Sequence, residues 1–242
     1  MVNMIPKIAH YIWLGGNKKP ENFHICKESW EKCLSVEDGW QIKEWTEGNL
    51  PMDDLPEYFH KAIREKKWAF ASDVARTHIL LNEGGVYLDT DILLYKSLDP
   101  VLHYGFFAGH ETENSINGAI FGSAKNNFII KEVAEYYENN LEIKAIPIIM
   151  TEIINRLKVV GRLDDSVYIA PVEVFYSYPM DRPIDPLKWV APSEALGIHL
   201  WDYSWQSDIK KTLRKIPGFT TAKNILKNIG LLGFVKKLLK QI

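Results

Sequence analysis

Two aspartates, Asp89 and Asp91, follow a short apolar run with one residue between them. If the chain is extended there, residues i and i+2 point the same way and both carboxylates face one site. Two carboxylates so close together repel each other unless a cation lies beside them. One interpretation is therefore a divalent cation whose open positions are filled by phosphate oxygens. The alternative is a turn with two solvated aspartates, and the apolar strand that leads into the pair favours the cation.

Asp73 and Arg76 lie three positions apart in the segment before this strand, which is predicted to be helical. At that spacing they are neighbours on one helix face, beside the apolar stripe and not in it. The stripe consists of Phe70, Val74, Thr77, His78 and Leu81. Two interpretations are open. The pair is a surface ion pair of little energetic value, or Arg76 neutralises phosphate while Asp73 accepts hydrogen bonds from sugar hydroxyls.

Trp13 and Leu14 end the first predicted strand, immediately before Gly15 and Gly16. A tryptophan at a strand end commonly belongs to the core. Alternatively, its ring is a stacking platform for a nucleobase.

His199 precedes Ser204 and Trp205 in a segment that also contains Trp201 and Tyr203. A lone histidine is more often structural than a ligand. In this position, however, an imidazole could complete the ligand shell of the cation, and an indole N–H could donate to phosphate.

Composition and missing motifs exclude several classes of protein. Apolar residues make up 46% and charged residues 25% of the 242, as in a soluble globular protein. Two cysteines, Cys26 and Cys33, exclude a disulfide framework, and we expect reduced thiols. No Walker A loop, Gly-x-Gly-x-x-Gly, Gly-x-Ser-x-Gly or His-Glu-x-x-His motif occurs, which argues against ATPases, dehydrogenases, serine hydrolases and zincins.

Strands and helices alternate in the predicted order of elements. Strands are predicted at residues 8–13, 40–45, 86–88, 92–95, 106–109, 116–121, 167–174 and 196–201. Helices are predicted at residues 20–35, 56–66, 68–83, 126–140 and 147–158, and an ordered loop at 179–192. The alternation predicts an α/β sheet with parallel neighbours, in which ligands bind beyond the carboxyl ends of the strands. Trp13 and Asp89 both follow such ends.

Three segments occur in the order seen in DxD-type sugar transferases: Ile8–Gly16, Ser72–Arg76 and Gly84–Asp91. On these motifs the chain resembles bacterial members of glycosyltransferase family 32, the capsular-polysaccharide and yeast mannosyltransferase-like group. It is similar, more distantly, to the glucosyltransferase domain of large clostridial toxins. The matching motifs span residues 5–122, with a further match at 199–205.

The resemblance implies a GT-A-like fold, with a mixed, mostly parallel sheet flanked by helices. It also implies a UDP-linked sugar donor, Mn²⁺ or Mg²⁺ as cofactor, and retention of anomeric configuration. The acceptor would be a saccharide or a lipid-linked saccharide in surface polysaccharide synthesis. A second possibility is a non-catalytic or degenerate protein that only binds sugar nucleotides.

The resemblance also assigns roles to residues that bind the donor. Trp13, with Leu14, would bind the nucleobase by stacking. Asp73 would bind hydroxyls of the donor sugar, and Arg76 the sugar or the diphosphate. Asp89 would contact ribose and sugar.

Further roles concern the metal and the acceptor. Asp91 would ligate the metal, with His199 as a further ligand. Ser204 and Trp205 would belong to a C-terminal lid that contacts phosphate. Asn117, in the strand after the two aspartates, would contact the nucleotide sugar and face the acceptor side.

Charge is distributed unevenly along the chain. Nine of the 29 basic residues fall in residues 209–242, where no acidic residue occurs, so residues 1–208 hold 20 basic and 31 acidic residues, a charge of −11. We therefore expect a catalytic domain at 1–208 and a basic amphipathic tail at 209–242. The acidic domain argues against nucleic acid as a partner.

The basic tail has two interpretations. Its leucines, Phe234 and Val235 form an apolar helix face with lysines beside it, which is typical of a helix that binds an anionic membrane surface. Alternatively, it packs on the acidic domain. Without a predicted signal peptide or membrane span, we expect a cytoplasmic protein, peripheral on the inner face of the cell membrane.

Overall fold

The computed structural model describes residues 4–180 and 185–202. The basic tail predicted at 209–242 lies outside the described residues, as do Ser204 and Trp205. The predicted boundary between a catalytic domain and a tail therefore stays a prediction.

The chain forms two compact units, and the first contains residues 4–178 and 191–202. All the strands and α-helices described below belong to it. The second unit includes residues 179–190, in which the described part contains a short 3₁₀ helix at Pro186–Lys188. This turn of helix falls within the predicted proline-rich loop.

Eight strands are present among the described residues. They are β1 (Ile8–Ile12), β2 (Gln41–Trp45), β3 (Gly85–Leu88), β4 (Ile92–Leu94), β5 (Phe106–Thr112), β6 (Ser115–Ser123), β7 (Val167–Ala170) and β8 (Gly197–His199). Their order follows the sequence prediction, with differences at the ends.

Six α-helices connect and cover the strands in the described part of the chain. They are α1 (Glu21–Cys33), α2 (Glu57–Arg64), α3 (Trp68–Glu83), α4 (Phe128–Asn139), α5 (Ile146–Val159) and α6 (Val172–Phe175). Five were predicted, and prolines begin two of them as expected: Pro20 caps α1 and Pro56 caps α2.

The main sheet has the strand order β2-β1-β3-β6-β5-β7. The pairs β1–β2, β1–β3 and β5–β7 are parallel, whereas β6 is antiparallel to both of its neighbours. The sheet is therefore mixed and mostly parallel, as predicted. Strands β1, β3 and β5 run in one direction, so their carboxyl ends meet at one edge.

Apolar residues on both faces of the sheet are buried against helices. Tyr87, Phe106 and Phe121 belong to one core cluster with residues of α2, α3, α4 and α5. Residues that alternate with this set pack elsewhere: Tyr11 contacts Trp30 of α1, and Phe107 contacts α6. The period of two along each strand thus sends neighbouring side chains into two separate layers.

The predicted strand at residues 167–174 is wrong in its second half. The chain leaves β7 at Ala170, and Pro171 caps helix α6. Proline has no N–H to donate to a strand partner, and its fixed φ suits the start of a helix. The apolar residues within 172–175 suggested a strand. In the structure they provide the buried side chains of α6.

Candidate functional site

The carboxyl ends of β1 and β3 lie side by side because these strands pair in parallel through Ala9 and Val86. The close approach depends on Gly85, whose φ is +104° and where a Cβ atom would lie 2.5 Å from the carbonyl oxygen of Ile8. Only glycine tolerates both conditions. The pairing places Trp13, just after β1, at the same edge as the aspartates that follow β3.

Asp89 and Asp91 meet through a turn and not along an extended chain. The backbone N–H of Ile92 donates to the carbonyl of Asp89 over 3.1 Å, and Thr90 lies within this turn. The expectation that both side chains point the same way on an extended strand was therefore wrong in its geometry. The turn nevertheless gathers both carboxylates at one place.

A second, two-stranded sheet brings His199 to this turn. Strand β4 pairs antiparallel with β8, and Ile92 lies opposite His199. The backbone N–H of Leu200 donates to the carbonyl of Asp91, and that of Asp202 donates to its carboxylate, each over 2.9 Å. These contacts fix Asp91 on both its main chain and its side chain.

Helix α1 supports strand β4 through two hydrogen bonds. The indole N–H of Trp30 donates to the carbonyl of Ile92 over 2.6 Å, and the N–H of Leu94 donates to the Ser29 hydroxyl over 3.0 Å. Trp30 is fully buried. Strand β4 thus holds its position through α1 on one side and β8 on the other.

Asp89, Asp91 and His199 form a set of donors suited to one divalent cation. One oxygen of each carboxylate and one imidazole nitrogen lie within 4.8 Å of one another. Atoms that bind one ion at about 2.1 Å must lie within roughly twice that distance of each other, so little adjustment is needed. The Nδ1 atom of His199 is buried without a hydrogen-bond partner in the part of the chain that the structure describes. The residues present therefore fit a metal site.

Without a metal, the charges of this set act on one another. Burial opposes ionisation of Asp91, yet the neighbouring His199 holds the pKa of its carboxyl below the usual value. Burial alone would lower the pKa of His199, but Asp91, with its Nε2–Oδ1 distance of 3.2 Å, raises it. Burial raises the pKa of Asp89, although Arg76 opposes this effect. His199 and Asp91 therefore stabilise each other's charged forms within the same set of donors.

Arg76 is buried, so the interpretation as a surface ion pair is wrong. Its side chain is 5% exposed, and its Nη2 atom lies 3.3 Å from Asp73 and 3.1 Å from Asp89. Its Nη1 donates to the carbonyl of Gly118 over 2.7 Å, and its guanidinium lies 4.1 Å from the centre of the Tyr87 ring. Arg76 therefore links α3, β3 and β6 beside the two aspartates.

Asp73 faces inward together with Arg76. Its Oδ2 accepts a hydrogen bond from the N–H of Ile146 at the start of α5, over 3.1 Å. Burial raises the pKa of Asp73 to about 7, against the effect of Arg76. The apolar stripe predicted for this helix was too narrow, because α3 is buried on most of its circumference. His78, which was predicted to lie in the stripe, is only half-buried.

Trp13 is half-buried and not part of the core. Its indole N–H donates to the carbonyl of Asn17 over 2.7 Å, across the turn that contains Gly15 and Gly16. Leu14 is buried in the core cluster. Trp13 thus has the partial exposure that a stacking platform requires, whereas Leu14 serves packing in this structure.

Asn117 lies at the same edge, where β6 departs from regular pairing with β5. Ala108 pairs with Phe121 but Gly109 pairs with Asn117, so residues 118–120 have no partner in β5. Two of these residues instead accept hydrogen bonds from residues of the site. Gly118 accepts from Arg76 as described above, and the carbonyl of Ala119 accepts from the N–H of Asp89 over 2.7 Å.

Sequence reasoning missed two tyrosines that support the site. The hydroxyl of Tyr87 donates to Asp89 over 2.8 Å. The hydroxyl of Tyr176 accepts from the N–H of Ile120 over 3.2 Å, and its ring contacts the His199 imidazole with centroids 6.0 Å apart. The position of Tyr87, two residues before Asp89, was an available signal, whereas nothing in the sequence indicated Tyr176.

Residues 22–107 match a family model described as "Glycosyltransferase sugar-binding region containing DXD motif". This range includes Asp73, Arg76, Asp89 and Asp91. It does not extend to His199, which joins the aspartates only through the pairing of β4 with β8.

Two relatives show how far the similarity in sequence extends. Inositol phosphoceramide mannosyltransferase 3 of Schizosaccharomyces pombe is 27% identical over 132 residues, which are 53% of this chain and 36% of that protein. An uncharacterized glycosyltransferase of Acanthamoeba polyphaga mimivirus is 33% identical over 133 residues, 51% of each chain. The matched part of the chain thus spans about half or less of the length of these relatives.

The fold is similar to that of a solved structure titled "PaToxG Glycosyltransferase". The TM-score is 0.51 at 21% sequence identity, with 66% of this chain and 72% of that chain covered. At this identity the likeness concerns the fold alone, which is GT-A-like, as the sequence predicted. Within that fold, residues 22–107 are similar to the glycosyltransferase sugar-binding region of the DXD type.

Proposed function

We propose that the protein is a metal-dependent, retaining glycosyltransferase that takes a sugar from a nucleoside diphosphate sugar, linked to UDP. The observation that carries this proposal is the meeting of Asp89, Asp91 and His199 within 4.8 Å at the carboxyl edge of the sheet. The match of residues 22–107 to a DXD sugar-binding region supports it.

The proposed reaction explains why this edge needs a cation. Sugar transfer breaks the bond between the anomeric carbon and a diphosphate oxygen, and negative charge develops on the diphosphate. A bound divalent cation supplies electrostatic stabilisation of that charge. Asp89, Asp91 and His199 would hold it, and the imidazole among the ligands favours Mn²⁺ over Mg²⁺.

Arg76 would act on the leaving group mainly through Asp89. All three of its guanidinium nitrogens have protein partners, because Nε donates to the carbonyl of Ser72 and the other two contact Gly118 and the aspartates. In this arrangement the guanidinium orients the Asp89 carboxylate. Direct contact of Arg76 with the diphosphate, and of Asp73 with sugar hydroxyls, stays a prediction.

Trp13 would provide the face on which the nucleobase stacks, next to the cation site along the same edge. For the transfer itself we propose a front-face path. The acceptor hydroxyl attacks the anomeric carbon on the side that the diphosphate leaves, and its proton passes to a leaving phosphate oxygen. This path retains the anomeric configuration without a nucleophilic side chain.

The acceptor would be a saccharide or a lipid-linked saccharide in surface polysaccharide synthesis. The name of one relative describes a mannosyltransferase that acts on inositol phosphoceramide, a lipid, which supports an acceptor at a membrane. No helix among the described residues has the length and apolar character needed to span a membrane. Attachment through residues 209–242 is part of this proposal.

A donor hydrolysis assay tests the proposal. The protein is incubated with UDP-glucose, UDP-N-acetylglucosamine or GDP-mannose, with Mn²⁺ or with EDTA, and release of nucleoside diphosphate is measured. We expect release from one donor, only with metal, and its loss in Asp91→Asn. The matched control Asp53→Asn changes an exposed aspartate that is not part of the cluster and should behave as wild type.

The same assay separates the enzyme from a non-catalytic protein that only binds sugar nucleotides. Metal-dependent binding of a donor by calorimetry, without hydrolysis or transfer to any acceptor in a saccharide panel, would favour the binding protein. If no donor and no nucleoside diphosphate binds in the presence of Mn²⁺, both functions are wrong.

A further inference from the structure

Glu111 is a carboxylate of this edge that neither the sequence motifs nor the family match includes. It lies near the carboxyl end of β5, between His110, which pairs with Ile116, and Thr112, which pairs with Ser115. Glu111 itself is an extra residue without a partner in the ladder. Such a bulge redirects a side chain and is common next to active sites.

Asn117 fixes the position of the Glu111 carboxylate. Its amide Nδ2 donates to Oε2 of Glu111 over 2.9 Å, and its Oδ1 accepts from the N–H of Ala119 over 2.7 Å. Asn117 is 6% exposed, whereas Glu111 is half-buried. The amide has a second N–H, and the carboxylate has a second oxygen, so the pair offers a donor beside an acceptor.

Glu111 has no cationic partner within 4 Å among the described residues, whereas Asp73, Asp89 and Asp91 at the same site each have one. Exposed carboxylates of this chain do form pairs, as Glu57 does with Arg64. A half-buried carboxylate that is held by an amide and not by a cation is suited to accept hydrogen bonds from neutral hydroxyls.

The pair lies close to the cation site. Gly109 packs against the ring of Tyr176, where a Cβ atom would lie 2.7 Å from Cε2, and the same ring contacts His199 edge to face. In a nucleoside diphosphate sugar, the group joined directly to the metal-bound diphosphate is the sugar.

We propose that Glu111, held by Asn117, binds a hydroxyl of the sugar that is transferred. A sugar hydroxyl both donates and accepts, so it matches the carboxylate and the neighbouring amide together. This inference rests on the proposed function. Glu111 would thus recognise the sugar of the donor, and not its nucleotide or its diphosphate.

The test compares binding of a nucleoside diphosphate with binding of its sugar conjugate. Calorimetry with Mn²⁺ measures UDP and UDP-glucose, or GDP and GDP-mannose, whichever pair wild type binds, for Glu111→Ala and Glu111→Gln. Loss of a hydrogen bond to a charged group weakens binding about tenfold or more. We expect that loss for the sugar conjugate in Glu111→Ala, a smaller loss in Glu111→Gln, and unchanged binding of the free nucleotide.

Glu113→Ala is the matched control, because Glu113 is an exposed carboxylate at the tip of the same hairpin. It should leave both affinities unchanged. Equal weakening of nucleotide and sugar conjugate in both Glu111 variants would overturn the inference and assign Glu111 a structural role, as would unchanged binding of both. Wild type that binds no nucleotide with Mn²⁺ would instead overturn the proposed function, and the inference with it.

Discussion

The Nε2 atom of His199 lies 3.2 Å from Oδ1 of Asp91, across the pairing of β4 with β8. The two groups are remote in sequence, and neither is part of a regular pattern that points to the other. Together with Asp89, the two groups form a set of three possible metal ligands at the turn that contains both aspartates.

Replacement of His199 by Gln should weaken Mn²⁺ binding in the presence of nucleoside diphosphate by about tenfold or more, because one of three protein donors is lost. Titration calorimetry or the paramagnetic resonance signal of free Mn²⁺ measures this directly. The control is His24→Gln, since His24 is exposed on α1. Unchanged Mn²⁺ affinity in His199→Gln would exclude the imidazole from the metal site.

Replacement of Arg76 by Met should reduce the free energy of unfolding by about 3–5 kcal/mol, because it leaves the buried Asp73 and the half-buried Asp89 without their cation. A surface ion pair at this place would have added little to stability, whereas the burial of Arg76 makes its loss costly. Urea unfolding measures the effect. Arg64→Met, which removes an exposed ion pair with Glu57, is the control and should change stability little.

His10 should make stability depend on pH between about 4 and 6.5. The indole of Trp45 donates to its Nδ1 over 3.1 Å, so Nε2 carries the proton and donates to the carbonyl of Gly84. Burial lowers the pKa of His10 to about 4. The unfolded chain therefore takes up the proton first as pH falls, and the folded state loses up to about 3 kcal/mol between pH 6.5 and 4.

Comparison with His10→Gln isolates this contribution from that of the carboxylates. Urea unfolding at several pH values should show a flatter dependence in the variant across the same window. Parallel curves for the variant and wild type would mean that His10 is protonated in the folded protein as easily as in the unfolded chain.

Replacement of Gly85 by Ala should destabilise the protein by more than about 2 kcal/mol. The new Cβ would meet the carbonyl of Ile8 at 2.5 Å, in addition to the strain of φ +104°. Gly39 has φ +86° with nothing within 4 Å, so Gly39→Ala carries only the cost of the backbone conformation, about 1 kcal/mol. Thermal unfolding of the two variants compares the effects, and equal losses would contradict the role of the close contact.

Residues 209–242 should bind anionic vesicles through apolar burial and charge, with each basic residue contributing roughly 1 kcal/mol near the surface. Co-sedimentation of the full chain with phosphatidylserine vesicles should be strong at low salt and weak at high salt. A chain truncated after residue 208 is the comparison. Equal binding of both chains, or none by the full chain, would show that the tail serves another purpose.

Local patterns were sufficient to predict most elements of the fold. Helices α1, α2 and α3 begin and end near the expected prolines and glycines, because these residues act on the backbone at their own positions. Asp89 was also placed correctly after a buried strand. The prediction that the strand continues past Pro171 was wrong. Apolar character in so short a segment does not distinguish a strand from a short helix.

The candidate site depends on contacts between distant segments, which sequence periodicity does not contain. The burial of Arg76 follows from the packing of α3 against β3 and β6, and the helix pattern alone assigned it to the surface. Glu111 reaches the edge through a bulge in β5. A single glutamate near the end of a strand carries no signal that a bulge will redirect it.

The pairing of β8 with β4 has a consequence for the order of events during synthesis. Synthesis proceeds from the N-terminus, so Asp89 and Asp91 are made before His199 and before the residues that fix Asp91. A nascent chain, or one cleaved by a protease before Gly197, keeps the aspartates but lacks the imidazole. The complete set of donors proposed to hold the cation would therefore form late, only after β8 has paired with β4.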